Sequence, residues 1–330
     1  MNATSANEQT YSGPEEEIFK HAFSDPIIEN EMLYPALTTL DCIYEANSTL
    51  LMPVEHFFTA YENLQIEAAE TLTLDGGATH LLQVTYTLGG ATYHGHAYAP
   101  AAPDTGKPAS LIIPGSGLNC SEPIYRQDPA SYHDGIIEAL GEGITNYVFI
   151  KPNEDCLAFH NGEGKVDVNF FVNWLLNNAT SYSAAYIVSA MAITKYLQGR
   201  HDSVVVAGLS QGGGAALLTS LQSQPTAAVI ASGFSVIMER IHWSGHNQII
   251  IPGIGQAYSN ENVREKIKAS PTQFLFTYGK QESVIYRLEA EEHYSCDFLA
   301  ECPNVRCESH DEGHIFHVAI TSDFLRSLGL

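Results

Sequence analysis

Short runs of consecutive apolar residues alternate along most of this chain with stretches whose apolar positions recur every three to four residues. That alternation predicts buried parallel strands separated by helices. Residues 109–113, 147–150, 203–207, 227–231, 273–277 and 304–307 are the strand runs. Helices are predicted over 131–140, over 182–197, where Tyr186, Ala190, Ile193 and Leu197 share a stripe, over 286–297, and from Ile315 onward. Phe170, Phe171, Trp174 and Leu175 mark a further helix upstream of residue 182. Two β-patterned runs on either side of Gly89-Gly90 read as a hairpin over residues 80–98. Strand and helix alternating in this way give an α/β fold with a mostly parallel central sheet and helices on both faces.

The flanks of this pattern differ. Residues 1–75 begin polar and acidic and then carry a helical patch over 54–72 with Phe57, Phe58, Tyr61 and Leu64, which predicts an N-terminal helical extension packed on the main domain of 76–330. Residues 234–270 lack a clear period and include His242, Trp243, His246 and the apolar run Ile249-Ile250-Ile251, so they are expected to form a cap or pocket wall.

Composition narrows the partners. A chain of 330 residues with 45 % hydrophobic content can bury one large core. Thirty-eight acidic against 15 basic residues leave a formal charge of −23, whose field repels nucleic acid and anionic lipid. No apolar run long enough for a membrane span occurs, and the first residues do not read as a signal peptide. Six cysteines (42, 120, 156, 296, 302 and 307) allow disulfides without specifying a pairing, and buried thiols fit as well. The compartment stays open, with a secreted or periplasmic setting preferred to the cytoplasm.

The sharpest chemical signal is Gly208-Leu209-Ser210-Gln211-Gly212, placed between the β-branched run 203–207 and the small-residue helix that opens at Gly213-Gly214-Ala215. Strand, tight turn and helix would thrust the Ser210 hydroxyl into the open above the helix N-terminus. A serine hydroxyl needs a histidine to take its proton and a carboxylate to orient that histidine. The acid is expected after the strand 273–277, where Glu282 is preferred to Glu289, Glu291 and Glu292 of the following helix. The base is expected between the last strand and last helix, where His314 is preferred to His310 and His317. Two amides should stabilise the oxyanion: that of Gln211, and that of Ser116 in Pro114-Gly115-Ser116-Gly117, with Gly117 as the neighbouring alternative. His94 and His96 could share a cation, but no metal-binding motif surrounds them and they read as strand residues. No dinucleotide or phosphate loop is present, so neither metal nor organic cofactor is expected.

With these four motifs in order, the chain resembles the α/β-hydrolase superfamily over residues 76–330. Ser210-Gln211-Gly212-Gly213 is similar to the serine elbow of acetyl xylan esterases, dienelactone-hydrolase-like proteins and acyl-protein thioesterases. Two departures stand out: many relatives carry His-Gly where this chain has Pro114-Gly115, and aspartate where it has Glu282. The resemblance implies a serine hydrolase acting on a small-molecule carboxylic ester. Peptide, amide or thioester cleavage by the same chemistry, and a binding module on a hydrolase scaffold, are the competing expectations.

Overall fold

The computed structural model describes residues 52–74, 77–117, 120–152, 154, 172, 175–233, 249–282 and 296–330. Nine strands form one sheet: β1 (Gln65–Leu74), β2 (Thr79–Leu88), β3 (Ala91–Tyr98), β4 (Ala109–Ile113), β5 (Thr145–Ile150), β6 (Val204–Leu209), β7 (Ala227–Ala231), β8 (Gln273–Gly279) and β9 (Val305–His310). Their spatial order is β1-β2-β3-β5-β4-β6-β7-β8-β9. The first three strands pair antiparallel, β3 meets β5 antiparallel, and every pairing from β5 to β9 is parallel. The four helices of ten or more residues among those described are α1 (Tyr182–Gln198), α2 (Gln211–Ser223), α3 (Asn260–Ala269) and α4 (Val318–Ser327).

The central parallel strands β4, β6 and β7 are buried along their whole length because both faces are covered. Along β6 and β8, Val204, Val206, Phe274 and Phe276 face α1, α2 and α3, while Val205, Ala207 and Leu275 face α4 and the short helix Ile136–Leu140. Removing each large side chain of this kind from water stabilises the fold by about 1.5–3 kcal/mol. The chain reverses its direction of travel across the sheet around β4, so a crevice opens beyond the carboxyl ends of β4 and β6, the usual position for a site in such sheets.

Several boundaries differ from the sequence reading. The helical patch ends at Asn63, and Gln65–Leu74 is an edge strand. Ile66, Ala69 and Leu72 mimic a helical period because a bulge between Ile66 and Ala68 absorbs one residue and Leu72 serves the opposite face of the sheet from Ala69. The helix expected over 131–140 begins only at Ile136, because Gly135 before it holds a left-handed φ of 83°. The last helix begins at Val318, where the His317 side chain accepts the Ile320 amide at 3.2 Å as its N-cap. Part of the aperiodic stretch is regular, since α3 occupies its end. Residues 1–51, 234–248 and 283–295, with Phe170, Phe171 and Trp174, lie outside the described residues.

Candidate functional site

The turn after β6 is forced into shape by backbone crowding. A Cβ on Gly212 would lie 2.0 Å from the Ile113 carbonyl oxygen and 2.6 Å from that of Pro114, so only glycine lets α2 start this close to β4. Ser210 between strand and helix has φ 61° and ψ −125°, a conformation that costs a non-glycine residue about 1–3 kcal/mol. Its amide bonds the Ala231 carbonyl at 2.8 Å, which pins the turn to β7. The side chain is half-buried, and its hydroxyl makes no hydrogen bond among the described residues. Gln211 is the first residue of α2, so its amide has no acceptor within the helix.

Glu282 and His314 come from the turns after β8 and β9. Lys280 donates its amide to the His310 carbonyl at 2.8 Å and Gln281 to that of Glu312 at 3.1 Å, which brings the two turns side by side. His314 Nδ1 then lies 2.8 Å from Glu282 Oε2. Glu282 is 5 % exposed as a residue with its side chain fully buried, and its other carboxylate oxygen accepts from the Ser232 hydroxyl and from the Gly279 amide at 3.0 Å. This arrangement makes Nδ1–H the donor, leaves the half-buried ring's Nε2 free, and fixes the plane of the imidazole. The competing histidines turn elsewhere. His310 and His317 face one another with centroids 4.7 Å apart, and the Glu289, Glu291 and Glu292 alternatives lie outside the described residues.

Ser116 sits in a loop whose carbonyls are all held from behind. Pro114 O accepts from Tyr186 Oη at 3.1 Å, Gly115 O from Lys151 Nζ at 2.8 Å, Ser116 O from Tyr132 Oη at 2.8 Å, and Gly117 O from Lys151 Nζ at 2.6 Å. The Gly115 amide is used as well, donating to His133 Nε2 at 2.7 Å. In a trans peptide the N–H points away from the preceding C=O, so the Lys151 bond to Gly115 O turns the Ser116 amide to the opposite side. A Cβ on Gly115 would come within 2.9 Å of the Leu209 carbonyl oxygen, so the loop rests against the strand end that leads into Ser210.

Sequence reasoning missed this support. Lys151, 1 % exposed, pairs with Glu154 at 3.0 Å, and Glu154 also accepts from the Cys120 amide at 2.8 Å, the Ser121 amide at 3.2 Å and the Ser121 hydroxyl. Burial first, then the Lys151 charge and His314, lower the pKa of His133 to about 3, so its ring stays neutral and its Nε2 remains an acceptor. The available signal was a lysine directly after the apolar run 147–150, followed three residues later by a glutamate.

His94 and His96 each meet a residue of the neighbouring strand β2. His94 Nδ1 meets Thr85 Oγ1 at 3.0 Å, whereas His96, 5 % exposed, meets Gln83 Oε1 at 2.9 Å. Cys296 and Cys307 form a disulfide, and Cys120 and Cys302 are buried thiols outside it. Cys42 and Cys156 lie outside the described residues. Beside Gln211, a cavity of about 20 Å³ is lined chiefly by Ile187, Ala215, Leu218, Ile249, Ile251 and Ile254.

A serine turn after one strand, a glutamate–histidine pair after two later ones, and this sheet order together decide the architecture. The chain has the α/β-hydrolase fold. A protein designated an acetyl xylan esterase from Bacteroides fragilis NCTC 9343 superposes with a TM-score of 0.53 at 15 % identity, covering 89 % of each chain. Acetyl xylan esterase 1 from Thermoanaerobacterium sp. JW/SL YS485 gives 0.47 at 13 % identity, over 83 % of this chain and 92 % of that one. A family 15 glucuronoyl esterase from Caldicellulosiruptor kristjansonii gives 0.48 at 13 % identity, over 83 % and 81 %. At 15 % identity the first of these likenesses supports the α/β-hydrolase fold and nothing finer. No family model and no curated protein sequence matches the chain. No helix among the described residues is long and apolar enough to cross a membrane.

Proposed function

We propose that the chain is a serine hydrolase that cleaves carboxylic esters through an acyl-enzyme. The observation that carries this reading is the 2.8 Å contact between Glu282 and His314 at the same sheet edge as the strained Ser210 turn. Ser210 attacks the acyl carbon while His314 Nε2 takes the hydroxyl proton, and Glu282 holds the imidazole and stabilises it as a cation. The Gln211 and Ser116 amides receive the oxyanion, the second in the direction that Lys151 imposes. His314 then protonates the leaving alcohol and activates the water that hydrolyses the acyl-enzyme, with no metal or cofactor in the sequence of steps. Apo hydrogen bonds of this kind tighten when substrate binds, which suits the unbonded Ser210 hydroxyl. Residues 249–254 form a wall of the acyl site, supported by Ile249, Ile251 and Ile254 in the cavity beside Gln211, and this small apolar space favours short acyl chains.

A fluorophosphonate should label Ser210, and turnover of nitrophenyl esters should fall from acetate to octanoate. Ser210→Ala should lower kcat by at least about 10³-fold without lowering the melting temperature, because the lost group bonds nothing among the described residues. Normal turnover in Ser210→Ala, or labelling at another residue, would refute the reading. Faster cleavage of matched thioesters or amides would keep Ser210 and reassign the substrate.

A further inference from the structure

Outside this chemistry, the segment that carries His314 is bracketed by a second group of side chains. His310, Glu312 and His317 each offer one ligating atom, and those atoms lie within 4.8 Å of one another. His310 is 5 % exposed, and both of its ring nitrogens lack a hydrogen-bond partner among the described residues. A buried imidazole with neither nitrogen satisfied is costly, so the ring calls for a partner beyond the described residues. The ring lies tilted against that of His317, 4.7 Å between centroids and 43° between planes, while the exposed Glu312 is free to swing over the pair.

We propose that His310, Glu312 and His317 form a binding site for a divalent transition metal ion, zinc being the best fit. Two imidazoles and one carboxylate are a borderline donor set that suits zinc, leaving a fourth position for water. Tetrahedral coordination at about 2.0–2.1 Å brings donors to about 3.3 Å from each other, a contraction that needs the exposed Glu312 and the half-buried ring of His317 both to close on His310. The ring of His317 must change roles. Its Nδ1 accepts the Ile320 amide at 3.2 Å, which puts the proton of the neutral ring on Nε2. Coordination through Nε2 sends that proton to Nδ1 and releases the Ile320 amide, whereas coordination through Nδ1 displaces the amide directly. Either way the ion exchanges the N-cap of α4 for a metal bond. It also ties together the two ends of the segment holding His314, and the site stands whether or not the chain is an esterase.

The test uses the whole chain, prepared without a histidine tag, stripped with chelator and dialysed against zinc at increasing concentration. One ion per chain at micromolar free zinc is expected, with the melting temperature raised by about 4 °C at a hundredfold excess over Kd. Amide exchange at Ile320 should accelerate on saturation while the rest of α4 is unchanged or slower. His317→Asn keeps an N-cap acceptor and removes the ligand nitrogen, so it should fold as well as the parent and lose the stoichiometric ion. Glu312→Gln, at an exposed position, should weaken binding at least tenfold. No retained ion at 100 micromolar zinc (on the order of the weakest useful affinity), or undiminished binding in His317→Asn, would overturn the proposal.

Discussion

His133 shows how a side chain remote from the reacting atoms can set a condition for them. It accepts the Gly115 amide only while its ring is neutral, and burial beside Lys151 and His314 depresses its pKa from 6.5 to about 3. The unfolded chain takes up this proton near pH 6.5 and the native state only near 3, so the native state binds fewer protons across that window. The stability due to His133 is therefore fully present above pH 6.5 and is lost as pH falls toward 3, with a slope of up to about 1.4 kcal/mol per pH unit. His133→Gln can still accept the Gly115 amide but cannot titrate. Its urea unfolding free energy between pH 6.5 and 4 should fall less steeply than that of the parent, and parallel slopes would refute the assignment.

At the scale of elements, the loop after β4 and the residues after β5 act as a unit. Lys151 and Glu154 are buried together, so removing one partner leaves an uncompensated charge and should cost about 3–5 kcal/mol, whereas removing both should cost less. Lys151→Met is therefore expected to unfold at markedly lower denaturant than Lys151→Met/Glu154→Leu. In whichever of the two remains folded, kcat should drop with little change in KM, because Gly115 O is no longer held and the Ser116 amide loses its direction. An unchanged kcat in the folded double variant would show that the loop holds its shape without the lysine. Helix limits illustrate the same dependence on neighbours. The apolar period over 131–140 is real, but Gly135 breaks the helix at a point where its backbone lies close to Val318.

Over the whole molecule, the charge of −23 and the disulfide act on different ends of the stability balance. Self-repulsion among 38 acidic residues is screened by salt, so the melting temperature should rise as potassium chloride increases from 0.05 to 1 M, roughly the range over which the Debye length shrinks to about 3 Å. A flat or falling curve would mean that the surface charges are already spaced too widely to matter. The Cys296–Cys307 bridge closes a short loop, with a sequence separation of 11, ahead of β9, the strand that delivers His314. Reduction should therefore cost about 2–3 kcal/mol, read as a lower urea midpoint in dithiothreitol, and Cys307→Ser should abolish the difference between oxidised and reduced samples.

The sequence by itself determined what is local. A β-branched run, a glycine-flanked serine and a small-residue helix specify the turn at Ser210, because backbone crowding at Gly212 and a left-handed φ leave few other residues able to stand there. Buried parallel strands announce themselves as unbroken apolar runs, so the core of the sheet was legible, while β1 was not, since its exposed edge needs no such run and its bulge imitates a helix. Only the tertiary structure decided which ionisable groups meet. Glu282 and His314 are neighbours because Lys280 and Gln281 stitch two turns together, and Lys151 reaches Gly115 and Gly117 because β5 lies beside β4, though 34 or more residues separate them along the chain. Such contacts depend on long-range strand order, which no stretch of sequence encodes by its own periodicity.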